Sequence, residues 1–265
     1  MYREIYREIE EIIADQGTVA LCVIVDAKGS TPRGKGSKML VYPDGQISGT
    51  IGGGELEHRV IEVAFESMQS GEPQMLSYSM ANPERGDPGV CGGQLEVYVE
   101  PILPQPTVMV VGAGHVGVEV ARLAQWLGYT VILSDDREEL VSGDALRDEF
   151  GKLHHGSMLE LPDAFRIHPQ TYIVLTTRNV DVDVTGLPAL MRSEAAFIGV
   201  IGSRRRWHTT KTKLLDMGIE SEEIEKIYSP VGLELNAETP REIAVSILAQ
   251  ITMLRHGGDG SSMAE

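Results

Sequence analysis

Apolar residues recur first at Ile5, Ile9, Ile12 and Ile13, a helical spacing that predicts an opening amphipathic helix. "TVALCVIVDAKG" then reads as a buried strand, rich in β-branched and apolar residues. "SKMLVYPDGQISGTI" reads as a hairpin turning at Pro43-Asp44-Gly45. Leu56, Val60, Ile61, Ala64, Phe65 and Met68 return to helical spacing, and "PQMLSYSM" and "GQLEVYVEP" read as two further strands. This half predicts a small α+β domain with a mostly antiparallel sheet.

Beyond "EPILPQPT", with Pro101, Pro104 and Pro106, the pattern becomes alternation. "TVMVVG", "TVILSDD", "TYIVLTT" and "AAFIGVIGS" read as strands. "HVGVEVARLAQWLG", "VTGLPALMRS" and "RRRWHTTKTKLLDMG" read as helices, and the stretch through Phe150 as helical or irregular. Such alternation predicts a Rossmann-like doubly wound parallel sheet. Thr239, Pro240 and Glu242 predict a capping box at the start of a last helix, which runs to about His256. The expected organisation is a domain over 1–100, a Pro-rich linker over 101–106, a Rossmann-like domain over 107–256 and a disordered tail over 257–265.

A length of 265 residues fits two domains, and 42% hydrophobic residues suffice for packed cores. The net charge of −16, from 39 acidic and 23 basic residues, argues against nonspecific nucleic-acid binding. No apolar run reaches the roughly 18 residues of a membrane span. The opening stretch lacks the basic n-region and apolar core of a signal peptide. Cys22 and Cys91 are the two cysteines, too few for a disulfide framework or a Cys-based zinc site. A reducing cytoplasm is the expected location.

Two glycine-rich loops carry candidate chemistry. Gly112, Gly114 and Gly117 form G-x-G-x-x-G between a strand and a helix. The first glycine permits the turn, the second lets a pyrophosphate approach, and the third lets helix and strand pack. Asp135 ends the next strand where this fold places a ribose-binding carboxylate, and Asp136 is its substitute. NAD or another adenine nucleotide is the expected ligand, with an unphosphorylated ribose favoured by Asp135; glycines serving chain geometry alone are the alternative. His115 stands in the loop, able to touch a phosphate or to cap its helix. No Tyr-x-x-x-Lys or His–Asp arrangement is legible, so no catalytic residue is assigned. In "IGSRRRWH", Ser203 and Arg204 lie where a strand ends and a helix opens, suited to an anion or to surface ion pairs.

The other loops lie in the first half. "KGSTPRGKGSK" packs Ser30, Thr31, Arg33 and Lys35 among glycines, offering hydroxyls, cations and bare backbone to a phosphate or polar heterocycle. "GTIGGGELE" runs Gly52, Gly53 and Gly54 into a helix, where Glu55 and Glu57 would repel a phosphate. In "VCGGQLEVYVEP", Cys91 precedes Gly92 and Gly93, an open setting for a thiolate that ligates a soft metal. A hairpin tip, a tight turn and an inert thiol are the respective alternatives.

Taken together, "GSTPRGKGSKMLVYPDGQISGTIGGGELE", "CGGQLEVYVEP", "VVGAGHVGVEVARLAQWLGYTVILSDDRE", "IGVIGSRRR" and "SPVGLELNAETPREIAVSILAQI" resemble the xanthine dehydrogenase accessory (XdhC/CoxI) family over nearly the whole chain. The resemblance implies a cofactor-maturation factor more than a catalyst. Such proteins bind the molybdenum cofactor, molybdopterin, and protect it during sulfuration. They pass it to an apo molybdenum hydroxylase of the xanthine dehydrogenase type, with a cysteine desulfurase supplying sulfur. A homodimer is expected. On this reading Ser30, Thr31, Arg33, Lys35, Gly52 to Gly54, Glu55, Cys91 and Gly92 face the pterin, with Cys91 toward the metal. An NAD-dependent oxidoreductase and a nucleotide-sensing regulatory module are the rivals. The chain departs from the family's pattern at Glu55, where cysteine is frequent, at Thr177-Arg178-Asn179, where a T-R-G-H or T-H-D-H pattern would bring a histidine that is missing here, at Asn236 for glycine and at Gln250 for glutamate.

Overall fold

The computed structural model describes residues 2–80, 87–89 and 91–263. Residues 264 and 265 of the expected tail lie outside the described residues. The chain divides into two compact units, Met1–Pro104 and Gln105–Glu265.

The first unit runs α1 (Tyr2–Ala14), β1 (Val19–Lys28), β2 (Lys38–Val41), β3 (Ile47–Gly49), α2 (Gly54–Ser70), β4 (Gln74–Ser79) and β5 (Gln94–Ile102). Its strands form one antiparallel sheet in the order β3-β2-β1-β5-β4. Alternation along β1 sorts the faces. Ala20, Cys22 and Ile24 pack with Leu56, Val60 and Ala64 of α2, whereas Val19 and Leu21 pack with Ile5 of α1. Ile9 and Ile12 join that second face, but Ile13 is 53% exposed. At about 100° per residue it stands a quarter-turn from Ile12, off the stripe. The β2–β3 turn closes with Gly45 N–H on the Tyr42 carbonyl at 2.9 Å, and Gly45 has φ 84°.

The second unit continues with β6 (Thr107–Val111), α3 (His115–Trp126), β7 (Thr130–Asp135), α4 (Asp144–Phe150), β8 (Leu153–His155), α5 (Leu161–Ala164), β9 (Thr171–Leu175), α6 (Val180–Met191), β10 (Phe197–Val200), α7 (Arg204–Asp216), α8 (Ser221–Ile224) and α9 (Pro240–Arg255). The parallel sheet has the order β10-β9-β6-β7-β8. This is the doubly wound order, whose switch point lies between β6 and β9. Val108 and Val110 meet α3 and α9 on one face; Met109 and Val111 meet α6 and α7 on the other. The capping box forms: Thr239 Oγ1 accepts from Glu242 N–H, and Glu242 Oε2 accepts from Thr239 N–H at 2.8 Å. Sequence pattern alone did not identify β8, because three residues are too few to show a period.

Gly112 and Gly117 are fixed by the fold. A Cβ on Gly112 would lie 2.7 Å from the Thr176 carbonyl oxygen, and one on Gly117 would lie 2.6 Å from Thr176 Oγ1 and overlap the Gly112 carbonyl. Gly114 has φ −75° and its Cβ direction is open. Gly117→Ala is therefore expected to destabilise the protein by at least about 2 kcal/mol through forced overpacking. Gly114→Ala should stay within about 1 kcal/mol of the parent, the difference between Gly and Ala at an N-cap. Denaturant unfolding of both variants checks the contrast; equal losses would refute it.

Candidate functional site

Antiparallel pairing brings three sequence motifs to one end of the first sheet. β1 ends there at Lys28, β2 begins there at Lys38, β3 ends there at Gly49 and β5 begins there at Gln94. The loops after β1, after β3 and before β5 must therefore be neighbours. Their contacts are backbone-close. A Cβ on Gly93 would lie 2.5 Å from the Lys28 carbonyl oxygen and 2.7 Å from Thr31 Cγ2. A Cβ on Gly52 would lie 2.7 Å from Pro32 Cγ. The Thr31-Pro32 step thus touches both other loops. Around it the Cβ directions of Gly34, Gly36, Gly53, Gly54 and Gly92 meet nothing within 4 Å. The result is a side-chain-poor surface bordered by exposed Ser30, Arg33, Lys35 and Cys91 and by half-buried Thr31. Thr31 Oγ1 donates to the Arg33 carbonyl at 3.0 Å and fixes the turn.

Glu55 points into solvent and pairs with Arg59 at 2.8 Å, one helical turn on. Glu57 does the opposite. Its Oε1 accepts from Thr50 Oγ1 at 2.5 Å, Ile51 N–H at 3.1 Å and Gly52 N–H at 3.2 Å. Burial pushes the pKa of this carboxyl up. The hydrogen bonds from Thr50 and from the backbone of Gly53, Ile51 and Gly52 outweigh that and hold it below the ordinary glutamate range. Cys22, by contrast, is a core thiol that burial pushes up to about 12. Among the described residues no three His, Cys, Asp or Glu side chains group as a metal cage.

In the second unit, Thr176 Oγ1 donates to the Gly112 carbonyl at 2.6 Å and Gly112 N–H donates to Ser134 O at 2.7 Å, so the glycine loop is held from both flanking strands. Gly114 is the N-cap of α3, with no side-chain cap, and His115 follows, exposed. Asp135 is only 2% exposed. Its oxygens accept from Ala113 N–H at 2.8 Å and from Arg137 N–H, Nε and Nη2, each at 2.9 Å. These contacts fill the roughly four lone-pair sites of a carboxylate. In this structure the Asp135 carboxylate, which also lines the cavity described below, joins the glycine loop to the end of β7. Asp136 is 40% exposed and carries a two-pronged pair with Arg178, at 2.5 and 2.7 Å. The Arg178 guanidinium holds Asp136 below the usual carboxylate range.

These groups border a cavity of about 400 Å³ at the carboxyl ends of β6, β7 and β9, lined by Gly112, Asp136, Arg137, Arg178, Asn179 and Thr185 among others. Ser203 and Arg204 are not in that lining. Ser203 caps α7, accepting from Arg206 N–H at 3.2 Å, and Arg204 is exposed. Arg206 turns inward. It donates to the carbonyls of Thr177 at 3.0 Å and Asn179 at 3.2 Å, and to the fully buried Asp183 carboxylate at 2.6 Å. Thr177 also donates to Asp183. This network, which sequence reasoning missed, sets the loop that carries Arg178; its only sequence signal is a run of three arginines that cannot all face water.

The departures from the resemblance have structural roles. Asn179 caps α6, accepting from Val182 N–H at 3.0 Å. Asn236 has φ 51°, the left-handed region that glycine and asparagine tolerate. Gln250 Oε1 accepts from Gly232 N–H at 2.7 Å.

A Rossmann unit joined in sequence to an antiparallel unit with a glycine-lined end defines the class of protein. Residues 108–251 match the XdhC Rossmann domain and residues 12–79 match the XdhC and CoxI family. The chain belongs to the XdhC/CoxI family. It is 32% identical over 260 residues to the uncharacterized protein YqeB of Escherichia coli, covering 98% of this chain and 48% of that one. It is 31% identical over 159 residues to a probable xanthine dehydrogenase subunit of Bacillus subtilis, covering 60% and 46%. It is 23% identical over 275 residues to the molybdenum cofactor insertion chaperone PaoD of Escherichia coli, covering 93% and 86%. The chain thus spans about half the length of the first two relatives. A crystal structure described as a xanthine dehydrogenase from Bacillus halodurans shares the fold, with a TM-score of 0.50, 20% identity and 97% of each chain covered.

Removing the Arg206 guanidinium would leave Asp183 charged and buried with Thr177 alone. Arg206→Ala is expected to cost about 3–5 kcal/mol. Arg204→Ala, on the surface, should change stability by no more than about 0.5 kcal/mol. Thermal or denaturant unfolding distinguishes the two, and similar values would remove Arg206 from the framework.

Proposed function

We propose that this protein binds the molybdenum cofactor as cargo, shelters it while a terminal sulfur ligand is installed, and delivers it to an apo hydroxylase of the xanthine dehydrogenase type. The observation that carries this reading is the convergence of the Ser30–Gly36, Gly52–Gly54 and Cys91–Gly93 loops, clamped at Gly52 and Gly93, with Gly34, Gly36, Gly53, Gly54 and Gly92 facing open space. A flat pterin needs bare backbone beside it; Gly53, Gly54 and Gly92 leave that room. Ser30 and Thr31 offer hydroxyls, Arg33 and Lys35 offer charge to a phosphate, and the exposed Cys91 offers a soft sulfur to the metal. The protein's part is to bind, orient and exclude water. Bound molybdenum would supply the redox chemistry of the client enzyme. The likeness to a molybdenum cofactor insertion chaperone supports the reading. A cysteine desulfurase is the fitting sulfur source, a homodimer the fitting assembly and the cytoplasm the fitting location.

A nucleotide role for the second unit rests on its own observation: Gly112 lines the 400 Å³ cavity, and the uncapped, open Gly114 lines a second cavity of about 570 Å³ together with His115 and Arg137. Asp136 takes the ribose position in that reading.

Purification from a host that makes molybdopterin, followed by denaturation and oxidation, is expected to yield pterin fluorescence and molybdenum. Cys91→Ala should lower retained molybdenum and keep the fold. Arg33→Ala and Lys35→Ala should each lower pterin retention by about 10- to 100-fold, the worth of a charge-assisted contact. Absence of pterin together with tight NAD(H) binding by calorimetry would replace this reading with a nucleotide sensor or oxidoreductase.

A further inference from the structure

Glycine-rich turns ahead of a helix make concave nests of N–H groups that attract anions. The Thr50–Gly54 turn has this form: Gly52, Gly53 and Gly54 all have positive φ, at 141°, 83° and 65°, and Gly53 caps α2 without a side chain. Yet its donors already have an anion. Glu57, from the first turn of α2, folds back so that one oxygen takes the Thr50 hydroxyl and the Ile51 and Gly52 N–H groups. Thr50 Oγ1 accepts a second bond from Gly52 N–H at 3.1 Å, which ties the turn further. The Cβ directions at Gly53 and Gly54 stay open, while the Ile51 and Gly52 N–H groups of the turn are taken by Glu57.

We propose that Glu57 is a built-in anion that occupies the glycine nest and thereby sets what the first unit accepts: an uncharged flat face against Gly53 and Gly54, and no phosphate at the nest. This rests on the cofactor reading only for the identity of the guest. Under that reading the phosphate of the pterin is held on the Arg33 and Lys35 side, and the triplet is a wall. Glu57 is a positioning residue: it touches the wall and not the guest. It also explains why two similar-looking glycine loops differ. In the second, a carboxylate from the neighbouring strand, Asp135, takes the Ala113 N–H, while the N-cap Gly114 carries no side-chain cap.

The test uses the full chain labelled with nitrogen-15 and titrated with inorganic phosphate, followed at the Ile51, Gly52 and Gly53 amides. In the parent these signals should not move to saturation. In Glu57→Ala they should move and saturate, because the nest is empty and positive. In Glu57→Gln the amide oxygen can accept the same bonds, so the signals should stay near the parent's and remain insensitive to phosphate. Saturable phosphate shifts in the parent would overturn the proposal. So would an alanine variant whose nest amides neither shift nor respond. If the alanine variant does not fold, the parent and Gln arms still decide, since a phosphate response in either refutes the filled nest. Retained pterin should fall at least tenfold in Glu57→Ala and recover largely in Glu57→Gln. A chain that holds no pterin in any form would defeat the cofactor reading while leaving the phosphate result on Glu57 intact.

Discussion

Contact between backbone and backbone, at distances no side chain permits, is the constraint on which both units depend. Gly93 lies against the Lys28 carbonyl and Gly117 against the Gly112 loop. Each contact brings a strand end and a loop together closely enough to form a surface of peptide groups. A single methyl at either place would push the loops apart. The open glycines next to them are a consequence: once the loops are clamped, Gly53, Gly92 and Gly114 border space that the chain does not fill. A surface of that kind suits a planar or phosphate-bearing guest, which approaches main chain and not side chains.

The chain carries a net charge of −16, but the carboxylates nearest these surfaces are engaged internally. Glu57 satisfies the Thr50–Gly52 turn, Asp135 satisfies Ala113 and Arg137, and Asp183 satisfies Thr177 and Arg206. Each has its charge balanced by N–H groups, a hydroxyl or a guanidinium, so burial does not leave it uncompensated. The acidic excess is thus a property of the outer surface, while the loop surface of the first unit presents backbone edged by Arg33 and Lys35, and that of the second carries the Asp136–Arg178 pair. The positions that depart from the family's pattern fit the same picture: Asn179 as a cap, Asn236 in a left-handed turn, Gln250 as an anchor and Glu55 as a solvent-side ion pair.

Much was legible in the residues themselves. The continuous apolar run Val19–Ile24 marks a buried strand, and the helical spacing of Leu56, Val60 and Ala64 marks the face of α2 that packs, because both are patterns of local backbone geometry. The change from antiparallel to alternating strand–helix pattern falls at the prolines around Pro104, and the compact units meet in sequence there. Gly112, Gly114 and Gly117, and the Thr239–Glu242 capping box, carry their chemistry at short spacing and need no distant partner to be recognised. The basic loop, the glycine triplet and the Cys91 motif were also visible, each as a separate piece.

Their meeting was not visible. It follows from the sheet order β3-β2-β1-β5-β4, which puts three loop ends side by side and is fixed by strand pairing between residues up to some eighty positions apart, such as Val19 with Ile102. Nor did spacing distinguish Asp135 from Asp136: they are neighbours, yet one is sealed by four donors and the other stands 40% exposed beside Arg178. The same holds for Arg204 and Arg206, where only the packing of α7 against α6 decides which guanidinium meets Asp183. Sequence determined the elements, the glycines and the chemical types on offer, since those depend on local backbone physics. Tertiary structure decided which charges are consumed within the fold and which remain for a ligand, since burial and hydrogen-bond saturation exist only once distant segments have come together.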